Sequence, residues 1–383
     1  MTTQTLPKIL TRDFSLAFLA QFAFTFVFHI FIPTLPIYLS RLGSTEKEIG
    51  VLVGIFFFSS LVLRPFVGRA LLKIHEKTFM ITGALLFALT SGAYFLAPPF
   101  WPLLIVRIFQ GIGFAFFHTS SYTLIVNISL ETHQGRNLSY FFLANNVSAA
   151  LAPSLGMFII NQFSFTVLFW LCLSLSLGSL FITQGLGRRQ ITPLPDATKE
   201  DSFFLNRKAV SPSIIASISL FIWGALMAFF PLYAVDQGVS NPGVFFTTIA
   251  IILILGRALG GKLLDLHNRE RVILPCLTTY VISMVILAFS KTLPMFILVA
   301  TIWGIGHAFL VPSLMVYAVE RVGSSPGPAM GTFMAITDLG LSLGPVIMGS
   351  IIHKTGYPIM FLCLALIGVI NLSYFYFFLR KME

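Results

Sequence analysis

Gly111-Ile112-Gly113-Phe114-Ala115-Phe116 returns 193 residues later as Gly304-Ile305-Gly306-His307-Ala308-Phe309. The same shift carries Gly50 onto Gly243, Arg64 onto Arg257 and Gly68 onto Gly261. Pro36-Ile37-Tyr38 resembles Pro231-Leu232-Tyr233 at a shift of 195, and Ala152-Pro153 resembles Gly344-Pro345 at a shift of 192. One coincidence would mean little. A nearly constant offset across four apolar segments argues for two homologous halves.

The segments are apolar enough to define the class. A soluble domain carries about 25% charged residues, whereas this 383-residue chain has 10%, with 56% hydrophobic residues and 41 phenylalanines. A larger core does not explain the deficit, because a water-facing surface still needs charge. Much of the surface is therefore expected to face lipid. Crossing the bilayer takes about 20 apolar residues in a helix, and twelve such stretches are present: 13–38, 49–72, 79–98, 101–126, 136–160, 164–186, 212–235, 243–265, 272–290, 294–318, 328–352 and 357–379. The expected fold is an all-α membrane protein of twelve transmembrane helices in two pseudo-symmetric six-helix bundles. They cover 1–186 and 212–383 and are joined by a polar linker, 187–211, containing Arg188, Arg189, Lys199, Glu200 and Asp201. The first apolar run, Phe14–Tyr38, is longer than the 7–15 residues of a signal-peptide core and reads as an uncleaved membrane helix.

Lysine and arginine positions set the expected orientation. With the N-terminus inside, only Arg41, Lys47, Lys291 and Lys354 fall outside and Arg107 falls within a span; the other nineteen, Arg64 and Arg69 among them, fall inside. Both termini and the linker are then cytoplasmic. The net charge of +10 becomes a topology signal, so no nucleic-acid partner is expected. Cys172, Cys276 and Cys363 are scattered in apolar runs and give neither a disulfide framework nor metal-ligand spacing. Short loops and the lack of targeting segments point to a bacterial inner membrane.

At this point the chain resembles the major facilitator superfamily over nearly its whole length. Gly261-Lys262-Leu263-Leu264-Asp265, followed by Arg269 and Arg271, fits that family's signature loop after the second helix. The first half keeps Gly68 and Arg69 but has Leu72 where the family has aspartate, so the gating role of that acid carries over to Asp265 alone. Arg107-Ile108-Phe109-Gln110-Gly111-Ile112-Gly113 matches the family's Arg-x-x-x-Gly-x-Gly element in the fourth helix. Ala149, Ala152, Pro153, Ser154 and Gly156 look like its antiporter motif, with alanines in place of two glycines. The resemblance implies a substrate site near the bilayer midplane, between parallel repeats, and is strongest to the drug or metabolite efflux branch.

Few residues at membrane depth can carry chemistry. Asp338, about ten residues or ~15 Å into its helix, is an embedded acid and hence a functional candidate. Protonation removes its charge, so it is the leading proton-coupling candidate; the bland alternative is a hydrogen bond to a neighbouring helix. His29 and His307 are further proton-coupling candidates, although a histidine in an apolar helix is more often a packing residue, and His118 is weaker still. Arg107 is always charged and needs a carboxylate, carbonyls or water, unless it snorkels to the interface. Gln110 lies one turn away on the same face. The repeat places Asn145, with Asn146 beside it, at the position of Asp338, as an amide site or packing glue. Arg107, Gln110, Asn145 and Asn146 form the substrate and electrostatic set. Gly68, Arg69, Gly261, Asp265 and Arg269 form the gating-loop set. Gly111, Gly113, Pro153, Gly156, Gly344 and Pro345 are read as hinge or packing positions.

The function expected is secondary active transport: proton-coupled export of a small amphipathic or hydrophobic organic molecule by alternating access. Uptake of a metabolite by the same machinery is the alternative. No phosphate-cradling loop suggests ATP, so the proton gradient is the expected energy source, without cofactor or metal. An intramembrane enzyme would need clustered catalytic groups, and none is found; a sensor would be expected to add a soluble output domain. With both halves in one chain, a monomer suffices, its partners being substrate and lipid.

Overall fold

The structure is a computed structural model that describes residues 11–98, 100–129, 134–187, 207–266, 269–322 and 326–379. Twelve helices make up the described residues, with no strand: α1 (Arg12–Arg41), α2 (Glu46–Ala70), α3 (Glu76–Ala93), α4 (Trp101–Ile128), α5 (Gln134–Gln162), α6 (Phe165–Gln184), α7 (Arg207–Asp236), α8 (Gly243–Leu266), α9 (Arg269–Phe289), α10 (Leu293–Val322), α11 (Pro326–Thr355) and α12 (Tyr357–Tyr374). A π-helical turn, Phe375–Leu379, ends α12.

Ten of these helices are long and apolar enough to cross a membrane. α3 falls short because Glu76 and Lys77 occupy its first turn and it stops at Ala93 rather than at the expected 98. α8 is apolar over Gly243–Gly256. α7 begins at Arg207, within the stretch read as linker, and takes Pro212 into the helix; the remainder of that linker lies outside the described residues. Large apolar side chains such as Phe66, Phe163, Trp170, Phe289 and Leu366 point outward, as lipid requires.

The internal repeat reappears as paired contacts. Gly43 and Gly238, which follow α1 and α7, both have φ near +80° (84° and 80°), a region that costs other residues strain. Tyr38 donates to the Tyr94 carbonyl at 3.3 Å, and Tyr233 donates to the Ser290 carbonyl at 2.5 Å, so each tyrosine ties the first helix of its half to the end of the third. A Cβ added to Gly111 would lie 2.2 Å from the Phe56 carbonyl oxygen on α2, and one on Gly304 would lie 3.1 Å from Ile252 on α8. Gly113 and Gly306 likewise pack on α3 and α9, at Gly83 and Cys276.

The two halves meet by the same device, used twice. A Cβ at Gly50 on α2 would sit 2.3 Å from the Pro345 carbonyl oxygen on α11, and one at Gly243 on α8 would sit 2.4 Å from the Pro153 carbonyl oxygen on α5. Small residues let helix backbones touch where lipid gives no hydrophobic drive for association. One turn further along, Gly54 meets the Ser342 carbonyl, while Thr247 donates to the Ala150 carbonyl at 2.6 Å. These contacts cluster at the end expected to be outer, where Asn161 also donates to the Ser240 carbonyl at 2.6 Å and His353 lies 3.4 Å from Glu46. Towards the other end, Gly68 on α2 and Gly331 on α11 face open space.

A side chain at Gly50 or Gly243 should therefore oppose closure of this end. Overpacking costs about 1–3 kcal/mol, which would lower the closed population roughly five- to hundredfold. With spin labels at positions 47 and 354 in a cysteine-free background, Gly50→Leu and Gly243→Leu are expected to lengthen the label distance. An unchanged distance would show that these contacts do not hold the end shut.

Candidate functional site

Two polar sites lie within the bundle. In the first, Arg64 of α2 and Asp338 of α11 form an ion pair, with side chains 27% and 14% exposed. It joins the two halves of the repeat. The sequence count had placed Arg64 among the cytoplasmic basic residues; here it lies well inside α2, and its long side chain reaches an acid on the opposing half. Both its position inside the 49–72 span and its repeat partner, Arg257, were signals for this role. The Arg64 guanidinium carbon lies 6.0 Å from the Phe114 ring centroid. His118 stacks on Phe114 at 4.8 Å, and Tyr122 follows at 4.6 Å.

The second site is in the N-terminal half. Arg107 is 6% exposed, so it does not snorkel. Its Nε donates to the Leu52 carbonyl at 2.9 Å and its Nη1 to Gln110 Oε1 at 2.7 Å, and its guanidinium lies 4.5 Å from the Phe56 ring centroid. Tyr94 donates to the same Gln110 oxygen at 3.0 Å. This cation is thus satisfied by a carbonyl, an amide and a ring, and Gln110 is the residue that organises it. Tyr94 was absent from the sequence candidates, because nothing in an apolar run marks which tyrosine turns inward.

The histidines go to different places. Nδ1 of His29 donates to the Thr25 carbonyl at 2.8 Å, a bond within its own helix. His307 stacks on Trp303 at 4.4 Å, with its Nδ1 2.5 Å from the Tyr280 hydroxyl. Asn145 and Asn146 are half-buried on α5 and have no hydrogen-bond partner among the described residues. Around them, hydroxyls bind α1 to its neighbours: Thr25 to Ser148 at 3.1 Å, and Ser121 to Gln21 at 2.8 Å. Asp13, in the first turn of α1, accepts from the Gly187 amide at 3.2 Å.

Of the gating-loop set, Gly68 and Arg69 are exposed at the end of α2. The side chains of Asp265 and Arg269 and the surroundings of Gly261 lie outside the described residues, as does the Arg257 side chain. Gly156 packs on Ile30 and Thr34 of α1, and Gly344 packs on the Phe221 carbonyl of α7, so these two positions bind helices within a half. No cluster of metal-ligating side chains occurs among the described residues.

Comparison with known proteins follows the same lines. The sequence profile of the Major Facilitator Superfamily matches residues 17–266 and again 213–383. Among characterised proteins, the chain is similar to the staphylopine export protein of Staphylococcus aureus (strain Mu50), at 25% identity over 90% of this chain and 89% of that one. It is also similar to the quinolone resistance protein NorA of Staphylococcus aureus (strain COL), at 24% identity over 88% and 90%. In fold, it resembles the crystal structure of the nucleoside transporter NupG, with a TM-score of 0.81 at 14% identity, covering 96% of this chain and 98% of that one.

Loss of Gln110 should hurt more than loss of the Tyr94 hydroxyl. Gln110→Leu strips the acceptor from two buried donors, at about 1–3 kcal/mol for each one orphaned, whereas Tyr94→Phe leaves the Arg107–Gln110 bond intact. Thermal unfolding in detergent should show the larger drop for Gln110→Leu. Equal drops would mean that Gln110 does not organise the cluster.

Proposed function

The chain belongs to the Major Facilitator Superfamily, membrane transporters rather than enzymes, and we propose that it is a proton-coupled exporter of small amphipathic or hydrophobic organic molecules. The observation that carries this reading is the ion pair between Arg64 and Asp338 across the two halves. Export is favoured by the similarity to the staphylopine export protein and to the quinolone resistance protein NorA.

The mechanism follows from what can break the pair. An exchanger must not change its facing direction when empty. With Asp338 ionised, the pair ties α2 to α11 while the glycine contacts keep the neighbouring end shut. Two events release it. A proton on Asp338 removes one charge. A substrate that lodges against Arg64 or Asp338, in the aromatic surroundings of Phe114 and His118, replaces one partner. The two events compete for the same groups, and this competition makes the carrier exchange one for the other. The lock is intermediate in strength. An exposed pair contributes about 0–1 kcal/mol and breaking a fully buried one costs about 3–5 kcal/mol; an intermediate value of about 1–3 kcal/mol shifts a two-state equilibrium roughly fivefold to somewhat over a hundredfold.

Orientation is part of the same proposal. The basic-residue asymmetry favours a cytoplasmic location for both termini and the 187–211 linker, the short loops favour a bacterial inner membrane, and 1–186 and 212–383 are the two rocking bundles of this proposal. The closed end is then external and the conformation faces the cytoplasm, where an exporter collects its load. A monomer with no cofactor, driven by the proton gradient, is sufficient.

The test uses a fluorescent quinolone in everted membrane vesicles. Wild-type protein should accumulate it when the vesicle lumen is made acidic, so that protons leaving the lumen exchange for drug entering it, as export requires in everted membranes. Asp338→Asn should lower this driven uptake at least tenfold while leaving gradient-independent exchange in place. Driven uptake unchanged in Asp338→Asn would make the pair structural and remove the basis for proton coupling. Driven uptake in right-side-out vesicles instead would reverse the direction.

A further inference from the structure

We propose that the cleft at Arg107 is a binding site for the carboxylate head of an amphipathic organic anion, with Arg107 taking the charge. The inference rests on the transporter reading and names a substrate class for it.

Arg107 is buried, and no carboxylate pairs with it among the described residues. The Leu52 carbonyl and the Gln110 amide oxygen occupy two of its donors and the Tyr94 hydroxyl lies against it as well, yet all three partners are uncharged. A guanidinium stays charged at every accessible pH, and a buried charge whose partners are all neutral, with no counter-ion, is costly. A site that retains one is completed by an anion.

The cleft beside it is lined by Phe28, Ile32, Phe56, Phe57 and Met227, together with Gln110. A small inorganic anion would shed its hydration here and gain one cation and one amide in return. An aromatic or aliphatic carboxylate fits better: its head can take two parallel N–H bonds from the guanidinium fork, and its body lies on rings and the methionine. Met227 belongs to α7, in the other half of the repeat, while the remaining lining residues belong to α1, α2, α3 and α4. The site therefore spans the boundary between halves. It is narrow in this conformation, so filling it requires Met227 to withdraw with its half. Occupation is thereby tied to the relative movement of the bundles, as a transported ligand demands.

The experiment is calorimetric titration of the detergent-purified full chain with indole-3-propionate, its neutral analogue indole-3-propionamide, and sodium chloride alone. In wild type, the acid should bind at least tenfold more tightly than the amide, and in Arg107→Gln that preference should vanish. The wild-type comparison needs no variant, so a poorly folding Arg107→Gln does not remove the test. Equal affinities, no binding of either compound, or binding of chloride without the acid would overturn the proposal. So would a preference for the acid that survives in Arg107→Gln. Because the readout is binding in detergent, it is independent of transport direction and proton coupling, which the vesicle assay reads separately.

Discussion

A carboxylate held within a lipid-facing bundle needs an opposite charge, and Asp338 finds Arg64 across the boundary between the two halves. Much of the arrangement serves that meeting. The helices α2 and α11 must run close together for the side chains to touch. They do so because Gly50 and Gly54 lay bare backbone against the carbonyls of Pro345 and Ser342. On the other side of the pseudo-symmetry axis, α5 and α8 approach through Gly243 and Pro153, so the closed end is held at two places and the ion pair at one. Glycine contacts are insensitive to protons, whereas the ion pair is sensitive. The packing sets the geometry of the closed conformation, and the pair makes its population responsive to chemistry.

The two arginines within the helices illustrate different answers to one problem. Arg64 shares its charge with an acid that can be neutralised, so the arrangement is reversible. Arg107 is held by a carbonyl, an amide and an aromatic ring, none of which titrates near neutrality. Its charge is therefore permanent and remains available to a ligand. A charge pair that a proton can break and a permanent cation thus lie on the same boundary between halves.

Much of the fold was legible in the sequence because it follows from composition and repetition. Twelve apolar runs gave twelve helices, and the offset near 193 residues gave contacts that recur in pairs, down to Tyr38 and Tyr233 reaching equivalent carbonyls. Helix ends were less legible. Pro98 and Pro99 follow α3, yet that helix stops earlier, at Ala93, and α7 starts upstream of Pro212, because apolarity does not mark where the backbone bonds cease. Asp338 and Arg107 stood out as charges in apolar helices. Arg64 did not, because it lies near a basic loop and was counted with it. Which charge meets which depends on how α2 and α11 cross, and that is fixed by glycines whose role only the packed structure reveals. Tyr94 was hidden for the same reason.

The most direct test of the account is the pH dependence of closure in the substrate-free protein. The distance between spin labels across the closed end would be followed from pH 8 to pH 5, in wild type and in Asp338→Asn; His29, His118 and His307 are the other titratable groups at comparable depth, and His353 faces Glu46 at the surface. The account predicts that the closed population of wild type falls as the pH is lowered and Asp338 loses its charge. It predicts that Asp338→Asn is already unlocked and does not respond. A wild-type distance that ignores pH, or an Asp338→Asn variant that titrates as wild type does, would contradict it.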